Sequence, residues 1–291
     1  MQKKTYAGQP VVTLNNGVDI PALGFGVWQM ENLAECEKAV IKAIHTGYRM
    51  IDTAAIYQNE TAVGQAVKDS GVKRDELFIT SKVWVQDHGY EQAKKAFQRT
   101  LDRLQMDYLD MYLIHWPYGD FIGTWKALEE LYHEGKIKAI GVCNFTVEKL
   151  EELKANSKVL PVINQIELHP VFQQKELQVY DRENNIITQP WSPLGNGNAD
   201  LLNNSELKAV AEKYGKTVAQ VILRWHLQEG FVVIPKSVTP SRIEENFNVF
   251  DFELTEDEMN IVRSLDTGKR LFFDPKDPEW EQKMLKSVAD I

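Results

Sequence analysis

The sequence is short of cysteine, of long apolar runs and of net positive charge, and each shortage excludes something. Only Cys36 and Cys143 occur among 291 residues. A pair so far apart gives neither a zinc knuckle nor a disulfide framework, so both are expected as reduced core thiols. No apolar stretch approaches the ~18 residues of a membrane helix. The opening, Met1–Leu14, lacks the apolar segment of a secretory signal. The expectation is a soluble, cytoplasmic protein with no membrane partner. Lys and Arg number 33 against 42 Asp and Glu, a formal charge of −9. That balance argues against nucleic acid or an anionic membrane as a partner, since both are bound by neutralising phosphates. It leaves room for one small anion held by a few local cations. No Walker-type GxxxxGK[ST] is present, and His133-Glu134 lacks the second histidine of a zinc-protease helix, so no metal is expected. No Pro/Gly-rich linker divides the chain, and residues 1–291 are expected as one domain.

What is present is alternation. Val11–Leu14, the turn signal Asn15-Asn16-Gly17 and Val18–Ile20 read as a hairpin. Short apolar runs follow at Tyr48–Asp52, Leu77–Lys82, Leu109–His115, Ala139–Cys143, Val162–Ile166, Ile186–Trp191, Phe231–Pro235 and Asn246–Phe250. Between them lie segments of helical period: 34–45, 91–104, 124–133, 147–153, 175–184, 206–213, 218–227 and 256–265. Thr146, Ser205 and Thr255 stand where N-caps belong. Eight strands with crossover helices mean a parallel sheet, and the regular spacing suits an α/β (β/α)8 TIM barrel over a doubly wound sheet. The polar tail from Gly268, with Phe272, Phe273 and Trp280, is expected to pack over the barrel mouth.

In a barrel the chemistry gathers at the C-terminal ends of the strands. Asp52, Lys82, His115 and Asn144 end or follow the first four runs, Gln165 lies near the end of the fifth, and Tyr57 sits in the loop above Asp52. Each alone has a structural explanation: a cap, a snorkelling lysine, a core histidine. Four converging at one buried rim do not, because unpaired charge there costs several kcal/mol. A tyrosine is a poor acid at neutral pH, and an ammonium beside it favours the phenolate and lowers its pKa. With Asp52 holding Lys82 and His115 donating to a carbonyl oxygen, the set suits protonation of an aldehyde or ketone as hydride reaches carbon. Asn144 and Gln165 offer amides to a carboxamide, and Trp191 offers a face for a nicotinamide ring. Lys236 and Arg242, flanking Ser237 and Thr239, suit a 2′-phosphate. The cofactor expected is NADPH (NADP+).

Gly47-Tyr48-Arg49-Met50-Ile51-Asp52-Thr53-Ala54 with Tyr57, Glu60 and Gly64 resembles the first signature of the aldo-keto reductases. Gly141-Val142-Cys143-Asn144-Phe145 resembles the second region. Ile234-Pro235-Lys236-Ser237-Val238 with Arg242-Ile243-Glu244-Glu245-Asn246 resembles the third. The likeness runs from about residue 11 to 275 and is nearest the bacterial 2,5-diketo-gluconate reductase-like members. It implies the tetrad Asp52, Tyr57, Lys82 and His115, with Tyr57 as general acid. It also implies cofactor contacts at Cys143, Asn144, Gln165, Trp191, Ser192, Leu194, Gly195, Lys236, Ser237, Val238, Arg242, Glu245 and Asn246. Cys143 stands where many members have serine, and Trp191 where the mammalian enzymes have tyrosine.

Tyr90-x-x-x-Lys94 imitates the catalytic pair of short-chain dehydrogenases, but no Gly-rich loop follows a first strand, and Gly24-Phe25-Gly26 opens no βαβ unit. Trp28, Trp84 and Trp116 are expected as substrate-pocket walls, Trp125 and Trp225 as core. Short loops such as Asn196–Leu201 imply an open mouth for small activated carbonyls: α-dicarbonyls, keto-sugars and aromatic aldehydes. The different-class alternative is a nicotinamide-binding but catalytically idle barrel with a regulatory or structural role. No large apolar helix face demands a partner, so a monomer is expected.

Overall fold

The computed structural model describes residues 5, 6, 9–286, 289 and 291, and the basic start Met1–Lys4 lies outside them. The elements run β1 (Thr5–Tyr6), β2 (Gln9–Thr13), β3 (Asp19–Pro21), β4 (Phe25–Gly26), α1 (Leu33–Thr46), β5 (Met50–Asp52), α2 (Glu60–Asp69) and β6 (Phe78–Val83). They continue α3 (Tyr90–Leu104), β7 (Leu109–Ile114), α4 (Phe121–His133), β8 (Ile137–Cys143), α5 (Val147–Asn156), β9 (Ile163–Glu167), α6 (Lys175–Glu183) and β10 (Ile187–Trp191). The last six helices are α7 (Ala199–Leu202), α8 (Ser205–Tyr214), α9 (Val218–Gln228), α10 (Pro240–Phe247), α11 (Glu256–Ser264) and α12 (Pro278–Lys286).

Seven parallel strands form one curled sheet in the order β10-β9-β8-β7-β6-β5-β4. The segment 231–235 closes it: Val232 N donates to Thr188 O at 3.4 Å beside β10, while Val233 N donates to Ala22 O and Gly24 N to Val233 O on the β4 side. Eight positions around the barrel are thereby filled, but they are not the eight expected. The first is β4, whose two residues are too short to register as an apolar run. Asn246–Phe250 is no strand: Pro240 starts α10, which ends at Phe247. Ile243, Asn246 and Phe247 share one helical face, and Phe247 packs its ring 4.9 Å from Tyr48. Asp52 therefore ends the second barrel strand rather than the first.

The hairpin β2–β3 plugs the floor. Leu14 and Ile20 are buried with Met50, Phe78, Met111, Ile163 and Val232 inside the barrel. Asn15 and Asn16 do more than turn: their side-chain amides donate to Pro161 O, Asn185 O and Lys138 O, tying the plug to the bottom loops. Outside the sheet the helices bury a second, larger layer built on residues such as Val40, Ile44, Phe97, Leu101 and Leu128. Glycine in the first signature has a packing cause: a Cβ on Gly64 would lie 2.3 Å from Leu104 O, so only glycine lets α2 meet the end of α3. Thr146 and Thr255 cap α5 and α11 as expected, whereas α8 is capped by Asn204 in place of Ser205.

Candidate active site

Strand pairing sets Asp52 beside Thr80, two residues before Lys82 on the neighbouring strand. His115 follows β7, and Tyr57 closes the single turn Ala55–Tyr57 above Asp52. Lys82 Nζ donates to Asp52 Oδ1 at 2.6 Å, to Thr53 O at 2.8 Å and to Tyr57 Oη at 3.4 Å. All three ammonium protons are thus used. The other Asp52 oxygen accepts from Gln165 Nε2 at 2.9 Å. Lys82 is fully buried and Asp52 nearly so, and desolvation on that scale is offset only by full hydrogen bonding of both charges. The His115 ring lies edge-on, 5.7 Å from Tyr57 and 5.1 Å from Trp84 between centroids.

Burial decides the protonation states. It holds the Tyr57 phenol up at about 12, with the Lys82 ammonium pulling the other way. The sequence-based expectation of a lowered phenol is therefore corrected: the ammonium moderates the rise that desolvation causes, and the group rests as a protonated acid. Burial works against the charge on Lys82, yet Asp52 and Tyr57 leave its pKa raised. Burial and then Lys82 push His115 well below the usual histidine range, so its imidazole is neutral. With Tyr57 and Lys82 raised and His115 lowered out of this range, kcat/KM for carbonyl reduction at saturating NADPH is expected to stay flat from about pH 6 to about pH 9. An inflection near the ordinary histidine value would show that His115 changes charge during turnover.

Among the expected cofactor residues, Gln165 and Asn144 reach the tetrad directly, through Asp52 Oδ2 and His115 O. Gln165 Nε2 also donates to Gln189 Oε1, which leaves only its amide oxygen for a ligand. Asn144, held at φ 62°, donates to His115 O and accepts from Trp191 Nε1, which leaves it one N–H and one lone pair. These amides are thus partly spent on holding His115, Asp52 and Trp191 in place. Cys143 is buried inside the barrel beside Met50 and Met111. Ser192 (φ 49°) and Gly195 (φ 60°) shape the loop after β10, where Gly195 N donates to Ser192 O, and half-buried Leu194 packs on the outer core. Ser237 Oγ accepts from Thr239 N, Val238 is half-buried, Asn246 is buried, and Glu245 accepts from Thr217 Oγ1 across the α9–α10 seam.

The donor chemistry suits a phosphorylated cofactor. Lys236 and Arg242 are exposed, and neither side chain has an ion-pair partner among the described residues. They flank the start of α10, whose Thr239 cap makes no side-chain bond to the helix N-terminus. Two such cations beside uncapped backbone N–H groups have the chemistry to attract an anion.

The tail changes the mouth. Trp84 and Trp116 are 6% exposed, covered by Met284 of α12 and by Trp280, whose ring lies 6.0 Å from that of Trp116. Trp28 is half-buried and meets Phe272 edge-on at 6.0 Å, while Phe272 meets Trp191 at 5.1 Å. Of the three tryptophans Trp84 meets His115 directly, while Trp28 and Trp116 meet the tail, and the expectation of an open mouth is corrected, because the tail lies over it. Trp84 Nε1 is buried without a partner among the described residues, a donor free for a polar substrate atom. Trp125 and Trp225 are core. Tyr90 and Lys94 both bond Glu130 at the surface, away from the tetrad. Sequence reasoning passed over buried Asn59 and Glu167 and gave buried Glu60 no role beyond the signature. Asn59 donates to Val27 O and accepts from Thr53 Oγ1. Glu60 accepts from Ser81 Oγ and Arg103 Nε. Glu167, third in the Gln165-Ile166-Glu167 run, could have been found as a charge on an otherwise uncharged strand.

Among the described residues no helix is long and apolar enough to cross a membrane. The sequence profile of the Aldo/keto reductase family matches residues 22–267. Glyoxal reductase of Bacillus subtilis (strain 168) is 53% identical over 261 residues, covering 89% of this chain and 94% of that protein. Methylglyoxal reductase DkgA of Escherichia coli (strain K12) is 49% identical over 272 residues, covering 92% and 98%. The crystal structure of a Bombyx mori aldo-keto reductase in complex with NADP superposes with a TM-score of 0.87 at 34% identity, covering 91% of this chain and 95% of that one. With a family match across most of its length and relatives near half identical, this chain belongs to the aldo/keto reductase family.

Proposed function

We propose that this chain is an NADPH-dependent reductase of small, activated aldehydes and ketones, acting as a single barrel domain. The observation that carries the reading is the Tyr57 phenol, protonated yet within 3.4 Å of a buried ammonium and facing a neutral imidazole. The cofactor, when bound, supplies the hydride. Asn144, Gln165 and Trp191 would hold its nicotinamide end. Lys236, Ser237 and Arg242 would hold its phosphate, with Val238, Glu245 and Asn246 beside them. Ser192, Leu194 and Gly195 would contact it from the loop after β10, and Cys143 from the barrel interior.

The carbonyl oxygen sits between Tyr57 Oη and His115. A neutral imidazole donates a hydrogen bond without competing for the proton. As negative charge grows on that oxygen, Tyr57 gives up its proton, and the phenolate left behind is stabilised by Lys82. Asp52 keeps Lys82 charged and aimed. Such a set also runs in reverse, which supports reading the enzyme as an oxidoreductase acting on CH–OH donors. The intact tetrad gives an idle barrel no support. Trp28, Trp84 and Trp116 favour compact substrates, α-dicarbonyls before keto-sugars and aromatic aldehydes. Two buried free thiols fit the reducing cytoplasm, and large exposed apolar residues are scattered as expected of a monomer. Following NADPH absorbance with methylglyoxal, 4-nitrobenzaldehyde and a 3-ketosteroid tests the reading. Turnover of none of them would overturn it, and preference for the steroid would overturn the substrate class.

Cofactor choice has its own test. Arg242→Ala is expected to raise KM for NADPH by ~10–100-fold, the worth of a lost hydrogen bond to a charged group, and to leave KM for NADH nearly unchanged. Equal weakening of both would remove Arg242 from phosphate recognition.

A further inference from the structure

Glu167 ends β9 two residues beyond Gln165, fully buried, yet its hydrogen bonds among the described residues go to none of the tetrad. Its partners are the C-terminal tail and the loop beneath it. Glu167 Oε1 accepts from Leu271 N at 2.7 Å and faces His169 Nε2 at 3.2 Å. The other oxygen lies 3.4 Å from Arg270 Nη1. Gln174 completes the clasp, donating through Nε2 to Glu167 O and accepting from Arg270 Nη2 through Oε1. The Arg270 guanidinium lies 4.6 Å above the Phe172 ring, and Thr267 donates twice to Val171 O.

The very next residue is Phe272. Its ring stands edge-on to Trp28, just beyond β4, and to Trp191, the last residue of β10. Those strands are the two edges of the seven-stranded sheet, so Phe272 bridges, at the mouth, the two edges that segment 231–235 joins. Between Leu271 and the start of α12 the tail has no regular secondary structure. The bond from a buried carboxylate to the Leu271 amide therefore does what a sheet ladder would do elsewhere: it fixes the chain one residue before the ring.

We propose that Glu167 is a positioning residue: it latches the tail at Arg270 and Leu271 and so holds Phe272 as a roof that restricts the site to small carbonyls. This rests on the reductase reading for its substrates but not for the latch itself. The test compares wild type with Glu167→Gln, Phe272→Ala and the double variant. Two quantities are read: the ratio of kcat/KM for a 3-ketosteroid to that for methylglyoxal, and the rate of tryptic cleavage after Lys269 in the cofactor-free protein. Phe272→Ala is expected to raise the ratio by ~10–100-fold, mainly through KM, as removal of a steric wall does. Glu167→Gln is expected to raise it by ~3–10-fold, with kcat for methylglyoxal within ~2-fold of wild type, and to add nothing in the Phe272→Ala background, because both act through one element. Cleavage after Lys269 should quicken by ~10-fold in Glu167→Gln, reporting a more populated open tail.

Unchanged cleavage would overturn the latch. An equal fall in kcat for every carbonyl, or effects that add in the double variant, would overturn its role in size selection. If Glu167→Gln does not fold, Arg270→Ala removes the half-exposed arm of the clasp and leaves the buried carboxylate its Leu271 and His169 donors; the same outcomes then decide. A wild type that reduces no carbonyl would sink the reductase reading alone, since cleavage still judges the latch.

Discussion

Tyr57→Phe is expected to lower kcat for methylglyoxal by ~10²–10⁴, the usual worth of a positioned proton donor, while Kd for NADPH stays within ~2-fold. The variant removes one oxygen and leaves the ring, so the edge-on contact to His115 and the cation over the ring, with Lys82 Nζ 4.9 Å from its centroid, both persist. Lys82 keeps its bonds to Asp52 and Thr53 and loses only its longest. Fold and cofactor site should therefore survive, and the loss should fall on the chemical step. Stopped-flow reduction separates that step from product release. Wild-type turnover in Tyr57→Phe would remove the phenol from the mechanism, and a matching loss of NADPH affinity would show that the ring is a binding element instead.

Lys82→Met should cost both activity and stability. It leaves the Asp52 carboxylate buried with Gln165 as its remaining side-chain donor, and breaking a buried pair by removing one partner costs ~3–5 kcal/mol. For a chain of this size that corresponds to a fall in Tm on the order of 10 °C. Turnover should drop at least as far as in Tyr57→Phe, because no cation then opposes the burial that holds the phenol proton on. Adding Asp52→Asn removes the stranded charge, so the double variant should regain most of the lost Tm and none of the activity. That split separates the two roles of the pair. A double variant no more stable than Lys82→Met would mean that the loss came from packing of the lysine stem rather than from unpaired charge.

The tetrad was legible in the sequence because barrel strands are short, apolar and evenly spaced, so a charge at the end of one stands out. The strand count was legible and one member was not. Phe25–Gly26 has two residues and draws its place from pairing with Met50–Asp52 and from Gly26 N donating to Pro235 O, contacts that no local pattern announces. Asn246–Phe250 looked like a strand because Val249 and Phe250 are apolar. Yet Pro240 and the packing of Phe247 on Tyr48 commit residues 240–247 to a helix.

The direction of the Tyr57 shift could not be read from residue types, since it is a contest between an ammonium and burial, and only the folded surroundings set the burial. The amides of Asn144 and Gln165 were rightly placed at the rim, but how much of each remains for a ligand depends on neighbours from three other strands. The tail marks the boundary most sharply. Its aromatics suggested a cover over the mouth, but a segment without periodicity takes its path from what it docks on. Residue order determined the barrel and the chemistry at its rim, because both follow from local period and from the cost of burying charge. How far the mouth is closed was decided in three dimensions alone, by a buried Glu167 meeting an amide 104 residues further along the chain.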